Sequence, residues 1–293
     1  MINSCCTQLI PINNSKIIKL ALQNQHNGFV NLSMITSAQN PGYKELQRLT
    51  ANNNYRRRKG VILVEGIKEN LMALNKGLSL IQLYSDGKEK ILSPEQSIDP
   101  ELFIYVQPDL FNRLVYRPQS HFLGIYKEFE QRLDQLSLSK NPIFILLEKV
   151  EKPGNLGAVI RTADAVGADA VILCDPKTDF YNPNVIRSSV GTFFAVPTVT
   201  AESEAVYAWC RKNKLTIFSA ALENAISYTA AKMDKPCAII FGTEAEGLSD
   251  FWLENADAKI KIPMLGKNDS LNVSNSVAVI AYEALRQRTS DLH

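Results

Sequence analysis

The chain has 293 residues, of which 45% are hydrophobic and 21% charged, and its formal net charge is +2. This is an ordinary globular composition, and the length fits one large domain or, better, two of usual size. The weak net charge does not by itself indicate a nucleic-acid partner. No apolar run is long enough to span a membrane, and no apolar segment follows a basic start, so we expect neither a membrane anchor nor a signal peptide.

The cysteines argue against a metal site. Cys5, Cys6, Cys174, Cys210 and Cys237 form no Cys-x-x-Cys pair, and only three histidines are present. Cys174 and Cys237 lie in apolar, strand-like runs and are expected to be buried thiols. That usage is typical of the reducing cytoplasm, where we expect the protein to act.

The first half of the chain divides into an appendage, a small domain and a linker. Residues 1–33 are polar, rich in Asn and Gln, and weakly patterned. In residues 34–127, PGYKELQRLTANN, IKENLMALNKG and PDLFNRLV are typical of helices, and GVILVEG, LIQLYS, LFIYV and FLGIY of strands. Residues 128–140 are charged and polar and are predicted to link this α/β domain to the next.

Residues 141–293 alternate short apolar runs with helical patterns. IFILLE, AVILCD, LTIFSA, CAIIFG and AKIKIP are predicted strands. Between them lie LGAVIRTADAVG, PNVIRSSVG and ESEAVYAWCRKN, and NVSNSVAVIAYEALRQR closes the chain. Apolar strands separated by helices predict a parallel sheet covered on both faces, and therefore an α/β fold.

The loop FGTEAEGLSD after the predicted strand CAIIF is a candidate ligand site. Gly242 and Gly247 flank Glu244 and Glu246 with P-loop spacing, but the P-loop lysine is missing and two carboxylates would repel phosphate. No dinucleotide fingerprint follows any predicted strand. A ligand held here would be neutral or cationic. The alternative is a strand-to-helix turn that needs glycine only for its dihedral angles.

Two further segments have both a structural and a functional interpretation. Arg161 falls in an otherwise apolar, small-residue helix and is either a surface residue or a functional one. Ser270 or Asn272 precedes the last helix and is a candidate for its N-cap.

Three motifs in this order resemble those of the SpoU/TrmH-type RNA 2′-O-ribose methyltransferases of the SPOUT superfamily. They are NLGAVIR from Asn155 to Arg161, GTEAEG from Gly242 to Gly247, and IPM from Ile262 followed by SLNVS from Ser270. The resemblance covers residues 143–288. Residues 34–127 resemble the substrate-binding domain of many members, which is similar to certain RNA-binding ribosomal proteins.

The resemblance implies a C-terminal domain with a deep trefoil knot, an exception to the rule against threading. S-adenosylmethionine would bind within the knot. By motif position its contacts would be Gly242, Thr243, Gly247, Ile262, Met264 and Leu271.

The resemblance also implies a methyl transfer to a ribose 2′-oxygen in a homodimer formed by the C-terminal domains. Arg161 of the partner subunit would act in each site, as a general base or by stabilising phosphate or alkoxide charge. The second role fits better, because a guanidinium is effectively always protonated. Asn155, Glu244, Ser270 and Asn272 would position the ribose and the arginine.

RNA binding requires positive surface, and NYRRRKG places Arg56, Arg57, Arg58 and Lys59 in the N-terminal domain. Such a run is often only a solvated loop, but here phosphate contact is expected. The weaker candidates are Lys44, Arg48, Arg113 and Arg117, and Arg187 is expected near the catalytic mouth.

The expected substrate is large-subunit ribosomal RNA, with transfer RNA as the alternative. Base methylation and a catalytically silent RNA-binding assembly factor also stay open. We expect no metal and no membrane partner.

Overall fold

The computed structural model describes residues 33–88 and 98–289. The predicted appendage, residues 1–33, therefore lies outside the described residues except for Ser33, and so do Cys5 and Cys6.

The N-terminal domain is built on a five-stranded sheet. In chain order its strands are β1 (Ser33–Ile35), β2 (Val61–Glu65), β3 (Leu80–Ser85), β4 (Phe103–Val106) and β5 (Phe122–Lys127). Their spatial order is β1-β4-β3-β5-β2, and β5 runs antiparallel to both of its neighbours. The helices are α1 (Pro41–Ala51), α2 (Asn53–Lys59), α3 (Ile67–Asn75) and α4 (Pro108–Phe111). The predicted strands are confirmed, whereas the helix predicted over PDLFNRLV ends after one turn.

The C-terminal domain is built on a seven-stranded, fully parallel sheet in the order β10-β12-β9-β11-β6-β7-β8. Its strands are β6 (Ile143–Glu148), β7 (Ala170–Cys174), β8 (Thr198–Ala201), β9 (Thr216–Ala220), β10 (Ile226–Ser227), β11 (Cys237–Phe241) and β12 (Ala258–Lys261). Its helices are α5 (Pro153–Val166), α6 (Pro183–Ser188), α7 (Ser203–Lys212), α8 (Asp250–Asn255) and α9 (Val273–Arg288). The predicted α/β class and parallel sheet are confirmed.

Two hydrophobic cores cover the two faces of this sheet. Successive side chains of a strand point to opposite faces. Ile145 and Leu147 of β6 therefore join one core, while Phe144 and Leu146 join the other. This double burial explains why the central strands are continuously apolar in sequence.

The first of these cores continues into the N-terminal domain. Ile62 and Val64 of β2 and Tyr126 of β5 pack in the same cluster as Phe193 of the C-terminal domain. The predicted linker also packs against that domain, since the ring of Phe129 lies 6.3 Å from that of Phe193. The two domains therefore share buried apolar surface.

Arg288 joins the end of the last helix to the beginning of the C-terminal domain. Its guanidinium donates to the carbonyl oxygens of Met233 at 2.8 Å, Asn141 at 2.7 Å and Lys235 at 2.6 Å. It also donates to the carbonyl of Pro142, directly before β6. The Arg288 side chain thus links the end of α9 to the backbone just before β6, the first strand of the C-terminal domain.

Cys174, Cys210 and Cys237 are free and buried, as predicted for the first and third of them. Burial raises the pKa of the Cys237 thiol to about 11. Within residues 33–88 and 98–289, none of the helices has the length and apolar character needed to cross a bilayer.

Candidate active site

A cavity of about 490 Å³ opens at the carboxyl ends of β9, β11 and β12. This edge is where open α/β sheets bind ligands, and the volume lies in the usual range for small-molecule sites. The cavity is lined by all six residues predicted to contact a cofactor: Gly242, Thr243, Gly247, Ile262, Met264 and Leu271. Residues up to 29 positions apart in the chain therefore surround one space.

The glycine-glutamate loop after β11 is closed by its own backbone. Thr243 N donates to Gly247 O at 3.0 Å, and Gly247 N donates to Thr243 O at 3.1 Å. A Cβ on Gly242 would lie 2.5 Å from Leu248 N and closer still to the Gly247 carbonyl. Gly242 is thus required by close packing within the loop. A larger side chain there would distort the loop itself, whatever ligand the cavity holds.

Glu244 is the centre of a polar cluster beside this cavity. Asn155 Nδ2 donates to Glu244 Oε1 at 2.8 Å, Asn272 Nδ2 donates to the same oxygen, and Lys152 Nζ donates to Oε2. Asn272 Nδ2 also lies 3.3 Å from Asn155 Oδ1. The hydrogen bonds from Lys152 and Asn155 hold the pKa of Glu244 below its ordinary value, so this carboxylate is ionised at neutral pH.

Two helix N-termini meet at this carboxylate. Asn155 lies in the first turn of α5, which begins at Pro153, a residue suited to the first helical position. Asn272 is the N-cap of α9, and its Oδ1 accepts from Ser274 N at 3.0 Å. The positive ends of both helix dipoles thus favour the negative charge of Glu244. Asn272 is thus the N-cap that the structural interpretation predicts, and its side-chain nitrogen also contacts the Glu244 cluster.

The two other predicted catalytic residues lie apart from the Glu244 cluster. Arg161 lies on the exposed face of α5 and does not line the cavity. Its guanidinium forms no hydrogen bond or ion pair with the residues that the structure describes. Ser270 lines the cavity, but its Oγ donates to Asp269 Oδ1 at 3.1 Å and does not reach Glu244. Ser270 is not the N-cap of α9.

The predicted RNA-binding run is a short helix, α2, and one of its arginines is buried. Arg56 is only 3% exposed, and its guanidinium donates to the carbonyls of Leu49 and Thr50 and to Asn53 Oδ1. The prediction that Arg56 contacts RNA is therefore wrong for this structure. Its charge satisfies carbonyls at the end of α1, which a helix leaves without internal partners.

The other three basic residues of α2 are exposed. Lys59 forms an ion pair with Glu45 at 3.6 Å. Arg58 and Lys59 both lie over the ring of Tyr55, at 5.7 Å and 5.6 Å from its centroid. Arg57 and Arg58 form no ion pair among the described residues, so they remain the candidates for phosphate contact.

Arg187 lies at the junction between the domains. Its Nη2 forms an ion pair with Glu65 Oε2 at 3.0 Å, and its carbonyl accepts from Arg117 Nη2 at 2.7 Å. Arg117 also pairs with Glu69 at 3.1 Å. Sequence reasoning missed both glutamates. The available signal was Glu65, a charged residue that directly follows an apolar strand run.

Sequence reasoning also missed Lys152, which lies three residues before the first motif. Among the described residues, no group of three or more His, Cys, Asp or Glu side chains is placed to hold a metal ion.

Comparison with known proteins adds to this geometry. Residues 142–282 match the model of the SpoU rRNA Methylase family. A 23S rRNA (uridine(2479)-2′-O)-methyltransferase of Streptomyces viridochromogenes is 28% identical over 265 residues, which cover 87% of this chain and 92% of that protein.

Two solved structures are similar over both domains. A crystal structure of an RNA 2′-O ribose methyltransferase is 36% identical, with a TM-score of 0.75, and covers 87% of this chain and 99% of its own. An AdoMet-bound rRNA methyltransferase from Sinorhizobium meliloti is 26% identical, with a TM-score of 0.78 and coverages of 87% and 98%. The fold and the site define an RNA methyltransferase of the SPOUT type. The chain belongs to the SpoU rRNA methylase family.

Proposed function

We propose that this protein transfers a methyl group from S-adenosylmethionine to a ribose 2′-hydroxyl in large-subunit ribosomal RNA. The observation that carries this proposal is the Asn155–Glu244–Asn272 cluster, which adjoins a cavity lined by the predicted cofactor residues. The relative named as a 23S rRNA methyltransferase matches both domains, which favours ribosomal RNA over transfer RNA.

The cavity suits S-adenosylmethionine in volume and in charge. Four carboxylates and two lysines line it: Glu223, Glu244, Glu246, Asp269, Lys259 and Lys261. This net negative lining suits a cation, and Ile262, Met264 and Leu271 supply apolar surface. When bound, S-adenosylmethionine supplies a methyl group on a sulfonium that is already a good leaving group.

Glu244 would act by orientation. An efficient general base has a pKa near the working pH, whereas the pKa of Glu244 is held below that of an ordinary glutamate. Its oxygens are occupied by Lys152, Asn155 and Asn272. Glu244 therefore fixes the two amide side chains, whose positions would align the ribose for in-line attack.

Arg161 would supply positive charge to a phosphate beside the target ribose or to the developing alkoxide. It does not line the cavity of its own chain, which supports the proposal that it acts in the partner subunit of a homodimer. The deep trefoil knot, the homodimer and a cytoplasmic location belong to the same proposal.

The test is transfer of tritiated methyl groups to deproteinised 23S rRNA, with transfer RNA in a parallel reaction, followed by mapping of 2′-O-methyl sites. Arg161→Ala should lower the rate about 100- to 1000-fold and keep cofactor affinity, as loss of a charge-stabilising group does. Arg132→Ala, at an exposed arginine paired with Asp134, is the control and should keep the rate. Base methylation, or cofactor binding without transfer to any RNA, would contradict the proposal.

Mixing variants tests the shared site. Arg161→Ala and Glu244→Ala subunits are each expected to be inactive, but a mixed dimer would contain one site with both residues intact. Recovered activity supports a site built across two subunits. No recovery after confirmed subunit exchange would show that each site is built within one chain.

A further inference from the structure

Tyr116 is the most exposed aromatic side chain among the described residues, at 75%. One face of its ring is covered, because the Arg187 guanidinium lies 4.3 Å from the ring centroid. No other ring of the described chain contacts it, so its second face is open to solvent. An aromatic ring with one supported face and one open face is the form of a stacking platform.

The backbone of the segment that carries Tyr116 is held by hydrogen bonds to the buried Glu65. Tyr116 N and Arg117 N donate to Glu65 Oε2 at 3.1 Å and Oε1 at 2.7 Å, and Glu65 is 5% exposed at the end of β2. The same carboxylate holds Arg187. Glu65 thus holds both the backbone at Tyr116 and the guanidinium of Arg187. Because this surface is already ordered, it loses little entropy when a ligand binds.

The platform lies on the side of the molecule that leads to the Glu244 cluster. Arg187 is in α6, and its neighbour Ser188 packs on the first turns of α5. A Cβ on Gly157 would lie 2.6 Å from Val185 O and closer still to Ser188 Oγ, so the two helices touch there. The helix that carries Arg187 therefore packs on the helix whose first turn carries Asn155 of the Glu244 cluster.

A second tyrosine shows what a purely structural stack looks like in this chain. Arg211 lies 5.0 Å from the ring centroid of Tyr207. There the ring also meets Phe251, with centroids 5.8 Å apart, and packs against the core. Tyr207 is therefore partly buried and has a second ring packed against it, whereas Tyr116 is exposed and has none among the described residues.

The charges around Tyr116 suit a polyanion. Glu65 and Glu69 are both buried and paired with Arg187 and Arg117, so neither offers free negative charge. Arg113 is exposed, and its guanidinium forms no ion pair among residues 33–88 and 98–289.

We propose that Tyr116 is a stacking platform for an unpaired base of the substrate RNA, with Arg113 on a neighbouring phosphate. The proposal rests on the proposed function, which makes RNA the ligand. Proteins read single-stranded RNA by stacking bases on aromatic rings, and the step is sequence-tolerant because every base has a π-face. The segment would hold RNA flanking the target nucleotide while the ribose lies at the Glu244 cluster.

The test compares binding of deproteinised 23S rRNA to Tyr116→Leu, Tyr116→Phe and Tyr207→Leu in the presence of S-adenosylhomocysteine. Leucine still covers Arg187 but cannot stack, so Tyr116→Leu should weaken binding about 5- to 150-fold. Tyr116→Phe and Tyr207→Leu should bind like the unaltered protein. Unchanged binding by Tyr116→Leu, or an equal loss in Tyr207→Leu, would overturn the proposal.

Two further measurements address the role of each residue. Stacking is uncharged, so Tyr116→Leu should leave the slope of log affinity against log salt unchanged, while Arg113→Gln should lower it by about 0.7 to 0.9. Tyr116→Trp should show fluorescence quenching when the RNA is added. An unquenched tryptophan in a protein that binds the RNA would refute stacking, even where the leucine variant fails to fold.

This proposal and the proposed function fail in different ways. RNA binding that depends on Tyr116 without methyl transfer contradicts the proposed function and leaves the platform standing. Methyl transfer to 23S rRNA with the same KM in Tyr116→Leu contradicts the platform alone.

Discussion

Asn155→Asp tests whether the charge of Glu244 organises the site. In the native site Asn155 Nδ2 donates to Glu244 Oε1 across 2.8 Å. Aspartate has the same shape but places an oxygen where that donor stood. Two carboxylates at this separation repel each other, and one of them takes up a proton more readily than usual.

The cost follows from the geometry. Two unit charges 2.8 Å apart repel by about 1.5 kcal/mol at the dielectric constant of water, which is the lower limit for a side chain that is 28% exposed. The lost hydrogen bond to a charged group adds about 1.5 kcal/mol. Together they amount to about 3 kcal/mol, and the methyl-transfer rate at pH 8 should therefore fall about 100-fold.

The defect should shrink as the pH falls. The repulsion raises the first pKa of the carboxylate pair above the pKa that Glu244 has in the unaltered protein. Protonation restores a donor between the two side chains. More molecules carry that proton at pH 6 than at pH 8, so the rate relative to the unaltered enzyme should be higher at pH 6 than at pH 8.

The assay is the initial rate of methyl transfer at saturating cofactor, measured at both pH values and divided by the rate of the unaltered enzyme. Asn40→Asp is the matched control. It changes the N-cap of α1, where aspartate is an equally good cap, and its ratio should not depend on pH. A ratio for Asn155→Asp that is the same at pH 6 and pH 8 would refute the reasoning.

Three other outcomes are expected. Asn272→Asp should keep the cap of α9 and lose activity, whereas Asn272→Ala should lose activity and also about 0.5 to 2 kcal/mol of unfolding free energy, measured in urea. Equal losses of stability in the two variants would show that the Asn272 side chain does not stabilise α9 as its N-cap. Glu65→Ala should lower the unfolding free energy by about 3 to 5 kcal/mol because it leaves Arg187, whose side chain is 12% exposed, without its carboxylate partner. Exposed Asp134→Ala should cost about 0.5 kcal/mol or less, and similar losses in the two variants would contradict a strong Glu65–Arg187 pair. Replacing Arg57 and Arg58 with glutamine should lower the salt slope of RNA binding by about 1.4 to 1.8 with cofactor affinity unchanged, and an unaltered slope would mean that α2 is only a solvated helix.

The central strands and long helices were predictable because their buried apolar residues form continuous runs or recur at regular spacing in the sequence. β8 and β10 were missed because they lack such a regular apolar pattern. β8 runs Thr198–Ala201 with polar alternation after a proline, and β10 has only two residues. Short edge strands hold too few apolar side chains to show a period, and only their neighbours in space define them.

The site was predictable in its members and not in its contacts. The motifs include Asn155, Glu244 and Asn272. No local sequence pattern shows that both asparagines donate to the Glu244 carboxylate, because they lie 89 and 28 positions from it in the chain. Arg56 is a second example of a contact that the local sequence does not predict. A run of basic residues indicates exposure on average, but helical periodicity turned one of the four inward to cap a neighbouring helix.

The contacts of Arg288 bear on how the protein is made. Its hydrogen bond to Asn141 spans 147 residues, so the ends of the catalytic domain meet only by closing a very long loop. Contacts of such separation form late and slow the folding of a domain. On the ribosome the first strands must wait, with apolar faces uncovered, until the final helix has been synthesised. During that interval the nascent catalytic domain is exposed to aggregation, and chaperones that hold apolar segments would raise its yield.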